Sequence, residues 1–180
     1  LFRSYSTESG VEVVDELLNR GGLDSMMWTI SLILCAMAFG GTMEKAGFLE
    51  VIARKLLSFA KGTGGLVLAT EASCVFTNIV AADQYLSLVI PGRMFKTAFE
   101  EAGLAPKNLS RCLEDAGTLT SPLFVWNTCG AFMFGALGVH PASYAFWAFL
   151  NWINPIVSVF YGFTGITMEK LKPEDKVAAA

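Results

Sequence analysis

The chain alternates between long apolar stretches and short charged ones. Ser25 to Met43 is a run of 19 residues without Asp, Glu, Lys or Arg. At about 1.5 Å of helix rise per residue it just covers a bilayer core of about 30 Å. A first membrane span over 25–43 follows, with Ala36 and Gly40 on one face for close helix approach. Residues 1–24 are polar and acidic, and Val11-Glu-Val-Val-Asp-Glu-Leu-Leu reads as a short amphipathic connecting helix ended by Gly21-Gly22. Between Glu44 and Lys61, Phe48, Leu49, Ile52, Leu56 and Phe59 recur at helical spacing, with Arg54 and Lys55 off that face. This predicts an amphipathic helix at the interface or packed on the core.

Gly62 to Gly92 is apolar again but holds Glu71 and Asp83. A second span is expected over 64–91. Nothing between Thr77 and Gln84 is Gly or Pro, so no break is signalled there. Arg93 to Asp115 is polar: a helix to Glu101, a turn near Gly103 and Pro106, then a second short helix. Ala116 to Met168 contains no charged residue over 53 positions, too long for one span. Gly138-Val-His-Pro141 supplies a turn, giving spans over 118–138 and 142–167. His140, the single histidine, is expected as an exposed loop residue there. The tail, 169–180, is expected to be flexible. The predicted fold is all-α: a polytopic transmembrane bundle of about four spans, covering 25–168, plus amphipathic interfacial helices.

Composition agrees with the pattern. The chain is 53% hydrophobic and 16% charged, against about 25% charged in soluble domains. A net charge of −3, with no basic stripe or zinc spacing, gives no reason to expect nucleic acid. The four cysteines lack CxxC spacing and read as packing residues. No nucleophile–base set or nucleotide loop is present, so neither an enzyme nor a cofactor is expected. With four spans, the N-terminal segment, the 93–115 loop and the tail share one side and hold nine of the 13 Lys and Arg. The positive-inside rule puts that side in the cytoplasm.

The spans carry more polar groups than an anchor needs. The second has Glu71, Ser73, Thr77, Asn78, Asp83 and Gln84; the third has Thr118, Thr120, Ser121, Asn127 and Thr128. The fourth has Asn151, Asn154 and Ser158 on one face, continued by Tyr144, Trp147 and Tyr161. Pro122 and Pro155 deprive backbone carbonyls of helical partners. Hydroxyl, amide and carbonyl oxygens of this kind can replace the water around Na⁺. Helix–helix hydrogen bonding explains any single Ser, Thr or Asn as well. Asp83 is different, because a mid-span carboxylate costs at least ~2.5 kcal/mol on insertion scales. For Glu71, nearer its span's end, function and headgroup or loop pairing stand level. Glu114 and Asp115 read either as cation capture at a cytoplasmic mouth or as N-caps of the third span. Trp126 and Trp152 lie within spans and read as packing or pathway-lining.

Three stretches resemble the NhaC-type sodium/proton antiporters. They are Thr77-Asn78 with Asp83-Gln84-Tyr85-Leu86-Ser87 and Pro91-Gly92; Leu113 to Thr118 with Ser121-Pro122 and Trp126-Asn127-Thr128-Cys129-Gly130; and Asn151-Trp152 with Pro155 and Phe160 to Gly165. The resemblance implies a secondary antiporter in a prokaryotic cytoplasmic (inner) membrane, exchanging Na⁺ for H⁺ without ATP. Relatives also exchange malate for lactate or move other organic acids. The family often has Pro before Trp-Asn-Thr; here Val125 stands there. Family chains are more than twice this length, and the chain begins at Leu1 without a signal-peptide pattern. It is therefore expected to be the C-terminal half of an inverted-repeat transporter, with the missing N-terminal half and the lipid bilayer as partners and a homo-oligomer left open.

The expected mechanism centres on Asp83 as the shared Na⁺/H⁺ carboxylate. Burial disfavours its charged form, and bound Na⁺ expels its proton. Thr77, Asn78, Ser121, Asn127 and Thr128 are the expected neutral ligands. Glu71, Gln84, Thr118, Thr120, Asp115, Asn151 and Asn154 are further candidates. Two alternatives stand beside it: a Na⁺-coupled organic-acid exchanger, and a split or truncated subunit without transport of its own.

Overall fold

The computed structural model describes residues 8–19 and 21–171. These residues are mostly helical, with one isolated antiparallel bridge, Leu104 to Lys170, and no strand among them. α1 (Glu12–Leu18) leads into α2 (Gly22–Lys45) and α3 (Phe48–Phe59). Gly22–Met43 and, further on, Gly62–Val80 are long and apolar enough to cross a membrane.

The expected second span is two helices. α4 (Gly62–Val80) stops, Ala81–Asp83 unwinds, and α5 (Gln84–Glu101) begins. They form an antiparallel hairpin: Leu66 and Val67, early in α4, share a core cluster with Phe95 and Phe99, late in α5. Ala82 takes φ 56, the left-handed region that non-glycine residues rarely occupy. Asp83 is extended, and its carboxylate accepts the Leu86 N–H at 3.0 Å, capping α5.

The expected third span is broken as well. α6 (Pro106–Cys112) runs into a π-helical segment, Leu113–Thr118, and then a 3₁₀ turn, Ser121–Leu123. Pro122 removes the N–H that the Thr118 carbonyl would use one turn on. Phe124 and Asn127 are extended, and Asn127 caps α7 (Thr128–Leu137) by accepting the Cys129 N–H at 3.2 Å. The break exists although Val125 replaces the family's proline. The expected 142–167 span is divided into α8 (Pro141–Ala145) and α9 (Phe149–Thr164). His140 is exposed and caps α8, its Nδ1 accepting the Ala142 N–H at 3.2 Å.

Close contacts fix the order of these elements. α2 meets α7 at one end, where Trp28 packs edge-on against Phe134 at 5.7 Å. Further along, α2 reaches the hairpin tip, and a Cβ on Gly40 would lie 2.8 Å from the Ala81 carbonyl. The small residue expected there does permit close approach; the side chain of Ala36 lies outside the described ones. α3 covers the hairpin base through Leu56 and Leu57. α9 returns along α4, where a Cβ on Gly162 would lie 2.8 Å from Val67 Cβ.

The 103–108 turn lies at the base and holds residues 169–171. Ala105 N–H donates to the Glu169 carbonyl at 2.9 Å, Leu171 N–H to that of Gly103 at 2.9 Å, and Asn108 Nδ2 to that of Glu169 at 2.7 Å. Lys107 pairs with the Glu169 carboxylate. The tail expected to be flexible from 169 is thus anchored over its first three residues; 172–180 lie outside the described chain. Because the hairpin turns back, α1 lies at the opposite end from the 93–115 loop, which corrects the shared side expected for them. Lys45, Arg54, Lys55, Lys61, Arg93, Lys96, Lys107, Arg111 and Lys170 all lie from the tip towards the base; the described part of α1, the start of α2 and residues 138–148 contain no Lys or Arg.

Gly162→Val should wedge α9 away from Val67. The expected loss is about 1–3 kcal/mol of stability, read as a lower midpoint of thermal unfolding in detergent.

Candidate ion-binding site

The hairpin tip and the break before α7 solve each other's hydrogen-bonding problem. Asn78, fully buried, donates from Nδ2 to the Gly117 carbonyl at 2.7 Å and to Thr120 Oγ1 at 3.0 Å. Asn127, also fully buried, donates from Nδ2 to the Asn78 carbonyl and to Asn78 Oδ1, each at 3.1 Å. Its Oδ1 accepts the Ser121 hydroxyl at 2.6 Å besides the Cys129 N–H. The tip's own backbone is used too. Thr128 N–H donates to the Ala82 carbonyl at 3.0 Å, and Trp126 Nε1 to that of Ile79 at 2.9 Å. Gly117 lets the π segment lie on α5, since a Cβ there would sit 2.7 Å from Leu88 Cδ2.

Asp83 is buried at this junction. One carboxylate oxygen caps α5; the other faces the Thr128 hydroxyl at 3.5 Å. It has no ion-pair partner among the described residues. The N-terminal ends of α5 and α7 both open here and carry partial positive charge. Beside Asp83, the Gln84 Oε1 accepts the Cys129 thiol at 2.6 Å. One carboxylate, a hydroxyl, amide oxygens and unwound backbone form an oxygen-rich, half-sheltered cluster suited to a hard cation.

Of the residues expected at the site, the structure brings together Asp83, Asn78, Ser121, Asn127 and Thr128, with Thr120 and Gln84. Thr77 is buried but returns its hydroxyl to the Ser73 carbonyl at 2.8 Å. Thr118 donates to Glu114 at 2.6 Å, away from the junction. Asn151 donates to the Leu119 carbonyl and Asn154 to Asp115 Oδ1, each at 2.5 Å, so both brace the broken helix against α9. Glu114 and Asp115 lie inside the π segment and not at a helix start, which corrects their expected N-capping role. Tyr144 belongs to the polar stripe through its hydroxyl on the Pro122 carbonyl at 2.7 Å, and Tyr161 through the Arg111 guanidinium over its ring; Trp147 is exposed. Trp126 and Trp152 are half-exposed and spend their N–H groups on backbone carbonyls. Ala82 and Cys129 escaped the sequence reading. Only the Asn-Thr-Cys-Gly string beside a Trp hinted at Cys129, and nothing marks Ala82.

Asn127→Ala would leave Asn78, the Ser121 hydroxyl and the Cys129 N–H without their shared partner in a buried setting. A loss of about 1–3 kcal/mol is expected, seen as a lower thermal midpoint, whereas Gln84→Ala at the partly exposed edge should change it by less.

Residues 1–166 match the Na⁺/H⁺ antiporter family. The chain is 40% identical over 166 residues to the Na⁺/H⁺ antiporter NhaC of Alkalihalophilus pseudofirmus, covering 92% of this chain and 36% of that protein. It is 44% identical over 160 residues to an uncharacterized Na⁺/H⁺ antiporter of Haemophilus influenzae, covering 88% of this chain and 34% of that protein. The malate-2H⁺/Na⁺-lactate antiporter of Bacillus subtilis is more distant, 32% identical over 164 residues, 91% of this chain and 35% of that protein. The chain spans about a third of the length of the curated relatives it matches. No solved structure matches. By the breadth of the family match and the agreement of its motifs, the chain belongs to the Na⁺/H⁺ antiporter family.

Proposed function

We propose that this chain supplies the part of a Na⁺/H⁺ antiporter that binds the exchanged ions, in a prokaryotic cytoplasmic membrane. The observation that carries this is Asp83: a buried carboxylate without an ion-pair partner among the described residues, set where two broken helices meet. Na⁺ and a proton compete for it. Bound Na⁺ needs the ionised carboxylate, and protonation cancels the charge that holds the cation. Exchange follows provided the empty, ionised state does not reorient.

The geometry divides the remaining roles. Thr128 faces the carboxylate and is the best-placed neutral ligand, with unwound backbone around it. Asn78, Ser121 and Asn127 already satisfy one another and act as the frame. The base, with its Lys and Arg, lies in the cytoplasm by the positive-inside rule. Asp83 is then ten residues of helix above Arg93. At about 1.5 Å per residue that is near the middle of a core of about 30 Å. The remaining length of the relatives supplies the facing wall. Organic-acid exchange, as named for the Bacillus subtilis relative, fits less well. The helix ends that would hold a substrate carboxylate are already capped by Asp83 and Asn127.

Asp83→Asn separates charge from architecture, because Asn caps a helix about as well as Asp. In the full-length antiporter carrying this chain, the variant should fold while Na⁺-dependent proton flux in vesicles falls to background. Undiminished exchange would reject the role.

A further inference from the structure

A second carboxylate is buried in α4, twelve residues before Asp83. Glu71 is 3% exposed, and neither of its oxygens has a hydrogen-bond partner. Opposite it, on α9, is the Ser158 hydroxyl, 2% exposed and likewise without a partner at hydrogen-bond distance. On the outer side, Leu68, Ala72, Val75, Pro155 and Val159 line an apolar groove of about 300 Å³ with it. α3 and α5 meet α4 through Leu56, Leu57, Phe95 and Phe99. The titratable and charged groups near Glu71 are Cys74 on α4, Arg111 and Cys112 on α6, and Asp115 on the π segment. Arg111 is engaged by Thr167, Met168 and the Tyr161 ring, and Asp115 by Asn154.

An ionised carboxylate in such a place has no contacting cation, and only the Ser158 hydroxyl faces it, to offset its lost hydration. A carboxylic acid is neutral, and its O–H can reach for Ser158. Asp83 differs, since the Leu86 N–H at the N-terminus of α5 donates to its carboxylate.

We propose that Glu71 is a second proton-binding site, separate from the cation site, which takes up and releases a proton during the transport cycle. One O–H bond forms on the Glu71 carboxyl as one breaks on hydronium, and the reverse step returns the proton to water. No other reactant takes part. The proposal rests on the antiporter reading of Asp83, and its test keeps the two apart.

The full-length antiporter is reconstituted in liposomes as wild type, Glu71→Gln, Ser158→Ala and Asp83→Asn. Labelled Na⁺/Na⁺ exchange and Na⁺-driven proton flux are measured across pH. For Glu71→Gln, Na⁺/Na⁺ exchange should stay within about twofold while proton flux falls on the order of tenfold and loses its pH dependence. Infrared difference spectra should show a protonated-carboxyl band at neutral pH in wild type that Glu71→Gln removes and Ser158→Ala shifts. Unchanged proton flux, or equal loss of both activities, overturns the proposal. So does the absence of the band in wild type or, should Glu71→Gln fail to fold, an unshifted band in Ser158→Ala. Asp83→Asn should lose both activities. Retention of both there overturns the cation-site reading, while the split in Glu71→Gln is judged on its own.

Discussion

The Asn78–Asn127 contact holds the molecule's central junction together. Two helices stop in an apolar interior, and each stop exposes backbone groups that water cannot satisfy there. The two amides meet these needs together: one donates to the π segment, and the other donates across to the tip while accepting from its own helix start. An amide suits this because it presents donors and an acceptor at once. Once the junction is fixed, Gly117 and Gly40 follow, since the elements they carry must approach it at backbone distance.

The junction also explains why two acids on neighbouring stretches differ in character. Asp83 sits where a helix begins, so oriented N–H groups replace lost water. Glu71 sits mid-helix, where every nearby N–H is already committed to its own ladder. Burial is similar; the supply of donors is not. A backbone N–H at a helix start meets one carboxylate, and none meets the other.

The helical class, the apolar segments and most of the polar cluster were legible from hydropathy and residue type. Asp83, Asn78, Ser121, Asn127 and Thr128 stood out because polar groups in apolar runs need a reason. The break at 81–83 was not legible. Its left-handed residue is an alanine, which has no preference for that conformation, and the stop depends on partners such as Thr128 and Trp126 some 45 residues away. The restart at Asn127 lacked its proline for a similar reason: a capping side chain and tertiary bonds suffice. Thr77 and Thr118 spend their hydroxyl protons locally, because a hydroxyl within one helix turn of a carbonyl or a Glu has a partner that composition does not reveal.

The hairpin's return has a topological consequence. On the membrane placement proposed above, α2 with α3 would cross once, the helix broken before α7 once, and α8 with α9 once, while the hairpin would enter and leave from one face. On that placement the parity would be odd, with α1 and the end of α9 on opposite faces. A unit of odd parity joined head to tail to a copy of itself is threaded upside down without any change in sequence. Two such units would bring their tips towards the midplane from opposite faces, which is the symmetry alternating access requires. Had α4 and α5 formed one crossing helix, as hydropathy suggested, the parity would be even and duplication could only have produced parallel copies.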